Sequence, residues 1–251
     1  MTSAGSEALA TRLRAAGCVF AEDEAGLLVD SGATGDALEA LVRRRVAGEP
    51  LETVLGWVEF AGMRLTVRPG VFVPRRRTEL LARVAASRCA PGSVFLELCC
   101  GVAPVGALVH AGEVHLADLD PAALACARVN APDAHVHLSD LYAALPADLR
   151  GRVDVVAANA PYVPSDAIAL MPPEARDHER RMALDGGPDG VDLHRRIAAG
   201  ARDWLAPAGV LVIETSPHQA PLTVAAMSDA GLATEVVVDD SVAGCVVVGL
   251  G

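Results

Sequence analysis

Hydrophobic and polar positions divide the chain into three regions that differ in periodicity. In residues 1–52 apolar side chains recur every three or four positions, which predicts a small module of helices. In residues 53–76 apolar and polar side chains alternate on both sides of a turn at Ala61-Gly62, which predicts a β-hairpin. The pattern therefore predicts a helical module at 1–52, a hairpin linker at 53–76 and a larger α/β domain at 77–251.

The third region alternates between predicted strands and predicted helices. Seven apolar runs are typical of strands: 94–98, 114–118, 134–138, 153–157, 208–214, 235–238 and 245–248. Helices are expected between them at 78–89, at 104–111, after Asp120-Pro121, at 191–204 and at 217–230. Short apolar runs separated by helices indicate a mostly parallel sheet that is covered on both faces. The link between the last two runs is too short for a parallel crossover, so these two strands should pair antiparallel. The predicted fold is a doubly wound, mostly parallel seven-stranded α/β sheet.

Composition and charge narrow the possible classes of function. The 251 residues are 52% hydrophobic, which suffices for a substantial core. The formal net charge is −11, whereas nucleic-acid binders gain affinity from a surplus of Lys and Arg, so no nucleic-acid partner is expected. No apolar run reaches the ~20 residues of a membrane span, and residues 1–10 lack the basic segment of a signal peptide. We therefore expect a cytoplasmic protein without a membrane partner.

The cysteines and histidines give no sign of a metal site. The six cysteines form no C-x-x-C pair, which favours buried, reduced thiols. His135 and His137 would share one face of a short strand, but no carboxylate or cysteine accompanies them in the sequence. No metal is therefore predicted.

Residues after the first two predicted strands suggest a nucleotide site. Ligands of doubly wound sheets bind at the carboxyl ends of the strands, where strand order reverses. A turn of small residues from Glu97 to Gly106 follows the first strand, and Asp118 ends the second. Such a turn lets the backbone approach a nucleotide, while the carboxylate binds ribose hydroxyls. Nicotinamide enzymes use the same arrangement, so these residues alone leave the class of cofactor open.

A more specific motif, Asn159-Ala160-Pro161-Tyr162, follows the fourth predicted strand. Methylation of an amide or arylamine nitrogen requires acceptors that hold the planar NH2 group while its lone pair becomes available. The Asn159 side-chain oxygen can accept one N–H, and a neighbouring backbone carbonyl, that of Ala160, can accept the other. The ring of Tyr162 can stack on the planar group, and Pro161 keeps the turn rigid. An ordinary Asn-Pro turn with a half-buried tyrosine is the alternative interpretation.

Several stretches together resemble the HemK/PrmC-type protein-(glutamine-N5) methyltransferases over about Gly48 to Gly249. They are residues 48–56, Val-Pro-Arg-Arg-Arg-Thr-Glu-Leu-Leu at 73–81, residues 173–179 and Ala-Leu-Asp-Gly-Gly-Pro-Asp-Gly at 183–190. The resemblance implies a class I methyltransferase fold, the cofactor S-adenosylmethionine, and a protein substrate, the Gln of the Gly-Gly-Gln loop of a peptide-chain release factor. It implies substrate recognition by the helical module and acceptor binding by Asn159, Ala160, Pro161 and Tyr162. It implies cofactor binding by Glu97, Cys99, Gly101, Asp118, Leu119, Asp140, Leu141 and Asn159.

Two departures from the family pattern affect these expectations. Ala160 stands where the family has a first proline, although its backbone carbonyl is still available as an acceptor. Ala103 stands at a glycine position, and its Cβ would crowd the methionine end of the cofactor if φ is positive there.

Three other functions stay open beside the leading one. They are methylation of an amine or amide of a small metabolite, methylation of an adenine amino group in nucleic acid, and cofactor binding without catalysis. The charge of −11 disfavours the nucleic-acid substrate. A monomer is the favoured oligomeric state.

Overall fold

The protein is described by a computed structural model that covers residues 3–251. The first four helices lie before residue 56: α1 (Ser3–Ala15), α2 (Ala21–Asp30), α3 (Asp36–Val46) and the short α4 (Leu51–Leu55). They share an apolar core of their own, in which Leu13, Leu28 and Val42 are fully buried. The helical periodicity of this region is thus explained by side chains that pack between helices rather than on the sheet.

The predicted hairpin is present and covers part of the sheet. Strands β1 (Trp57–Phe60) and β2 (Met63–Thr66) pair antiparallel around a turn in which Ala61 and Gly62 both have positive φ, 48° and 80°. Positive φ at both turn positions matches the twist of a two-residue hairpin. The buried residues Phe60 and Leu65 join the apolar core on one face of the large sheet.

The remaining residues form a seven-stranded sheet with helices on both faces. Its elements are α5 (Thr78–Arg88), β3 (Val94–Leu98), β4 (Glu113–Asp118), α6 (Pro121–Asn130), β5 (His135–Leu138), β6 (Val153–Ala158), α7 (Pro173–His178), α8 (Asp192–Ala201), β7 (Leu205–Glu214), α9 (Ala220–Asp229), β8 (Ala233–Asp239) and β9 (Gly244–Leu250). The strand order is β5-β4-β3-β6-β7-β9-β8. Strands β3 to β7 are parallel, and the last two strands, β8 and β9, pair antiparallel as predicted. Strand β9 also pairs antiparallel with β7.

Alternate residues of the central strands serve two separate cores. Phe95 and Val155 point to the face that α5, α6 and the hairpin cover. Leu96 and Val156 point to the opposite face, against α8 and α9. Because both faces are buried, these strands are apolar throughout, which is why they appear as continuous runs in the sequence.

The helix predicted at 104–111 is wrong, because these residues form a series of turns. The backbone N–H groups of Val105 and Gly106 donate to the buried side chain of Glu97, at 3.4 and 2.7 Å, and hold these turns to the sheet. A Cβ on Gly106 would collide with the side chain of Leu116, so this close approach of the turn to the sheet requires glycine. Among residues 3–251, no helix combines the length and apolar character needed to span a membrane.

Candidate functional site

A cleft opens at the carboxyl ends of β3, β4, β5 and β6. Strand order reverses here, because β3 is followed along the chain by β4 on one side and later by β6 on the other. Ten of the eleven predicted site residues line this cleft: Cys99, Gly101, Asp118, Leu119, Asp140, Leu141, Asn159, Ala160, Pro161 and Tyr162. The eleventh, Glu97, lies behind the loop that follows β3.

Glu97 binds the backbone of that loop on the side away from the cleft and does not line the cleft. Its side chain is 2% exposed and accepts the two backbone bonds from Val105 and Gly106. Burial raises the pKa of this carboxyl to about 8. Glu97 therefore supports the backbone of the loop and does not itself line the cleft.

The loop after β3 bends through left-handed backbone conformations. Cys99, Gly101 and Ala103 have φ values of 52°, 53° and 64°. A positive φ at Ala103, the condition stated above for crowding of the cofactor, is present, but the side chain does not point into the cleft. Ala103 is fully buried in a cluster with Leu116 and α6, and it does not belong to the lining of the cleft. The Cβ of Ala103 therefore strains the backbone by about 1–2 kcal/mol but takes no volume from the cleft.

Asp118 joins the ends of two neighbouring strands. One carboxylate oxygen accepts the N–H of Gly101 at 2.8 Å, and the other accepts the N–H of Asp120 at 2.8 Å. Burial raises the pKa of this carboxyl. Each oxygen has a second lone pair, so the carboxylate can also accept hydroxyl groups of a ligand in the cleft.

Asp140 offers an acceptor in the next position along the cleft. Its Oδ2 accepts a hydrogen bond from Arg196 at 2.8 Å, whereas its buried Oδ1 has no partner among the described residues. Leu119 and Leu141 add apolar surface on the same side of the cleft. Two carboxylates beside apolar side chains suit an adenosine group, whose ribose hydroxyls and exocyclic amine are donors and whose ring is apolar on both faces.

A hydrogen bond to Thr78 holds the Asn159 side-chain amide. The Asn159 Nδ2 atom donates to Thr78 Oγ1 at 3.2 Å. The amide nitrogen therefore faces Thr78, and the Asn159 oxygen, which can only accept, is left for a donor in the cleft.

Tyr162 contacts the buried side chain of Glu214 and lies under a cation. Its hydroxyl donates to Glu214 Oε1 at 3.4 Å, and the Arg77 guanidinium lies 5.6 Å from the centre of its ring. Burial raises the pKa of this phenol well above its usual range, so it stays protonated. The ring is held in place at the edge of the cleft next to Asn159.

Gln219 fixes the turn that contains these residues. Its side-chain amide donates to the carbonyl of Tyr162 at 2.7 Å and to the carbonyl of Asp189 at 3.2 Å. Gly190, with a φ of 79°, packs so closely here that a Cβ would collide with the Tyr162 carbonyl. The 183–190 segment, which the resemblance identified, therefore supports the Asn159–Tyr162 turn from outside.

Three supporting residues were missed from the sequence: Thr78, Glu214 and Gln219. Glu214 ends a buried strand, and the rule that selected Asp118 would have selected it too. The contacts of Thr78 and Gln219 depend on long-range packing and leave no local signal.

The expectation that His135 and His137 lack a carboxylate partner is wrong. Strand β4 lies beside β5 and brings Glu113 and His115 to the same face. One potential ligand atom from each of Glu113, His115 and His135 lies within 4.8 Å of the other two. The pattern could not reveal this group, because its members are paired only through the register of the two strands.

Comparisons with known proteins agree with the fold. No protein-family model matches the chain. A methyltransferase structure from Pyrococcus furiosus aligns with a TM-score of 0.56 at 15% identity, over 83% of this chain and 96% of that one. The sheet order and this likeness define the class I methyltransferase fold.

Similarity in sequence identifies the family. A release factor glutamine methyltransferase of Geobacter sulfurreducens is 34% identical over 201 residues, which are 78% of this chain and 70% of the relative. Six further relatives of the same name are 34–38% identical. The chain belongs to the family of release factor glutamine methyltransferases, and it spans about two thirds to three quarters of the length of these relatives.

One relative has a different name. A 4-amino-L-phenylalanine/4-methylamino-L-phenylalanine methyltransferase of Streptomyces pristinaespiralis is 34% identical over 191 residues, which are 71% of this chain and 65% of that relative.

Proposed function

We propose that the protein transfers a methyl group from S-adenosylmethionine to the side-chain amide nitrogen of a glutamine in a peptide-chain release factor. The observation that carries the proposal is the orientation of Asn159, whose oxygen is left as an acceptor for the cleft by the bond to Thr78. Membership of the family and the resemblance at residues 73–81 and 183–190 support the choice of substrate.

The cofactor end of the site would be formed by the two carboxylates at the strand ends. Asp118 would accept the ribose hydroxyls, and the unpartnered Oδ1 of Asp140 would accept the exocyclic amine of adenine. Cys99 and Gly101 would follow the cofactor with their backbone, and Leu119 and Leu141 would flank its ring. When bound there, S-adenosylmethionine supplies an electrophilic methyl group.

The acceptor end would be formed by the Asn159–Tyr162 turn. Asn159 Oδ1 would accept one N–H of the substrate amide, and the Ala160 carbonyl would accept the other. Both acceptors favour the transition state, because the N–H groups become more acidic as the nitrogen lone pair attacks and the nitrogen acquires positive charge. The Tyr162 ring would stack on the planar amide, and Pro161 would limit the motion of the turn.

A second candidate substrate is an aromatic amine of a small metabolite. The Streptomyces pristinaespiralis relative, with a primary arylamine in its name, favours it. An arylamine is a planar NH2 group with a delocalised lone pair, so it needs the same two acceptors as an amide. The turn at Asn159 therefore suits both substrates.

Incorporation of radiolabelled methyl groups distinguishes the two candidates. The wild-type protein should label a recombinant release factor and should not label the same factor with the Gln of its Gly-Gly-Gln loop replaced by Ala. The matched small-molecule arm uses 4-amino-L-phenylalanine at millimolar concentration. Labelling of the amine without labelling of the release factor would overturn the leading proposal and establish the second.

A further inference from the structure

Three histidines and a glutamate form a cluster away from the methyl-transfer cleft. Glu113 and His115 alternate along β4, and His135 and His137 alternate along the edge strand β5. In the parallel register His115 pairs with His135, so all four side chains lie on one face of the sheet. The His115 ring lies 4.9 Å from that of His135 and 5.2 Å from that of His137, nearly parallel to both.

The contacts inside this cluster leave a set of ligand atoms facing one another. The Nε2 atom of His115 lies 2.9 Å from Glu113 Oε1, and its Nδ1 atom lies 2.9 Å from His137 Nε2. Arg152 binds the other carboxylate oxygen of Glu113 at 3.1 Å, which leaves Oε1 directed toward the histidines. His115 is buried and His135 is exposed, so an ion has a path from solvent.

The geometry points to a binding site for a divalent transition-metal ion, formed by Glu113, His115 and His135. Three atoms within 4.8 Å of one another lie no more than about 2.8 Å from a common centre. Zn²⁺ binds nitrogen and oxygen ligands at about 2.0–2.2 Å, so each atom has to move inward by less than about 1 Å. Binding requires side-chain rotations of that size, and a water molecule would complete the tetrahedron.

The choice of ion follows from the ligands. Imidazole nitrogens with one carboxylate suit Zn²⁺, Co²⁺ and Ni²⁺ rather than Mg²⁺ or Ca²⁺, which prefer oxygen ligands. His137 acts as a positioning residue. When His115 Nε2 binds the ion, its Nδ1–H donates to His137 Nε2, which fixes the tautomer and the orientation of the ring.

A bound ion would connect the edge strand β5 to β4. These two strands end close to the carboxylates of the cleft, since Asp118 lies three residues after His115 and Asp140 three residues after His137. The role inferred for the ion is therefore to stabilise the strand pair on which the cofactor end of the cleft is built. It takes no part in methyl transfer.

The test uses protein without an affinity tag, treated with a chelator and then titrated with Co²⁺ and Zn²⁺. One ion should bind per chain, and the Co²⁺ complex should show visible d–d bands without the intense near-ultraviolet band of thiolate ligands. Zn²⁺ should raise the midpoint of thermal unfolding, because it binds the folded chain preferentially.

Matched variants locate the ion. His135→Asn changes an exposed side chain and should weaken binding by more than about 100-fold, since even an outer partner of a metal ligand is worth about 10–100-fold. His137→Asn should weaken it by about 10–100-fold. His218→Asn, at an exposed histidine in another loop, is the control and should bind as the wild type does. Unchanged Zn²⁺ affinity in His135→Asn, a thiolate band, or no binding at tens of micromolar would each overturn the proposal.

Discussion

Replacement of Asn159 by alanine is the most direct test of the methyl-transfer mechanism. The substitution removes the oxygen that the Thr78 contact leaves as an acceptor for the substrate N–H. Loss of one preorganised partner of a developing charge reduces turnover by about 10²–10³, or about 2.7–4 kcal/mol. The fold should survive, because only one hydrogen bond, worth about 1 kcal/mol, is lost from a half-buried side chain.

The assay combines steady-state labelling of the acceptor with calorimetric titration of S-adenosylmethionine. Turnover should fall while the dissociation constant of the cofactor changes by less than about threefold, because Asp118 and Asp140 are proposed to supply the cofactor contacts. Full activity of Asn159→Ala on every acceptor would refute the mechanism. An equal loss of cofactor affinity would instead place Asn159 at the cofactor.

Thr78 offers a finer test of the same reasoning, because it is proposed to act only through Asn159. Thr78→Val keeps the shape of the side chain but removes the hydroxyl that accepts from the Asn159 amide. A single hydrogen bond of about 1 kcal/mol then no longer selects one orientation of the amide, so turnover should fall by only about 2–10-fold. Thr78→Ser should restore it. A loss in Thr78→Val as large as in Asn159→Ala would contradict the assigned role.

Substitutions at three further positions test the rest of the site. Asp118→Asn should weaken cofactor binding by about 2–3 kcal/mol in calorimetry, because the new NH2 group opposes the N–H of Gly101 or Asp120; unchanged affinity would remove Asp118 from the site. Burial raises the pKa of Glu97 from 4.5 to about 8, so the unfolded chain releases a proton that the folded chain retains. The stability of the wild type should therefore fall between about pH 4.5 and 8, by up to about 1.4 kcal/mol per pH unit in urea unfolding. Glu97→Gln should reduce this slope, and an unchanged slope would assign it to other groups. Gln219→Ala and Gln219→Glu should each destabilise the fold by about 1–3 kcal/mol, since both remove the donors to Tyr162 and Asp189. An unchanged stability of Gln219→Glu would show that the packing of this side chain, and not its donated hydrogen bonds, stabilises the turn.

The sheet was predictable because its strands are buried on both faces. Strands such as Val94–Leu98 lie where the apolar runs are, and the antiparallel β8–β9 pair follows from its short link. The cleft was predictable for a related reason: carboxyl ends of parallel strands meet at one edge, so Asp118, Asp140 and Asn159 converge. The local sequence thus predicts the cleft, because the parallel topology of the sheet brings the strand ends together.

The wrong predictions share a physical cause: contacts made only in the folded chain override the local preferences of the sequence. Residues 104–111 have a helical pattern, but they form turns that are held to the sheet by bonds from the N–H groups of Val105 and Gly106 to the buried Glu97. The histidine cluster depends on a strand register between β4 and β5 that no local pattern encodes. In both cases the contacts are made by charged or polar side chains of the strands. The partners of these side chains depend on the folded structure and are not shown by the local periodicity of the sequence.

The altered Asn-Ala-Pro-Tyr turn illustrates how such contacts replace local rigidity. Where the family has two prolines, this chain has Ala160 and Pro161, so one restriction on the backbone is absent. Ala160 is 1% exposed and packs in the core between the sheet and α8, which limits its motion by contact instead. At the other end of the turn, Gln219 binds the carbonyl of Tyr162. Packing at Ala160 and the Gln219 amide at Tyr162 therefore fix both ends of the turn. A second proline is not needed to hold the Asn159 oxygen and the Ala160 carbonyl in the positions proposed for binding the substrate NH2 group.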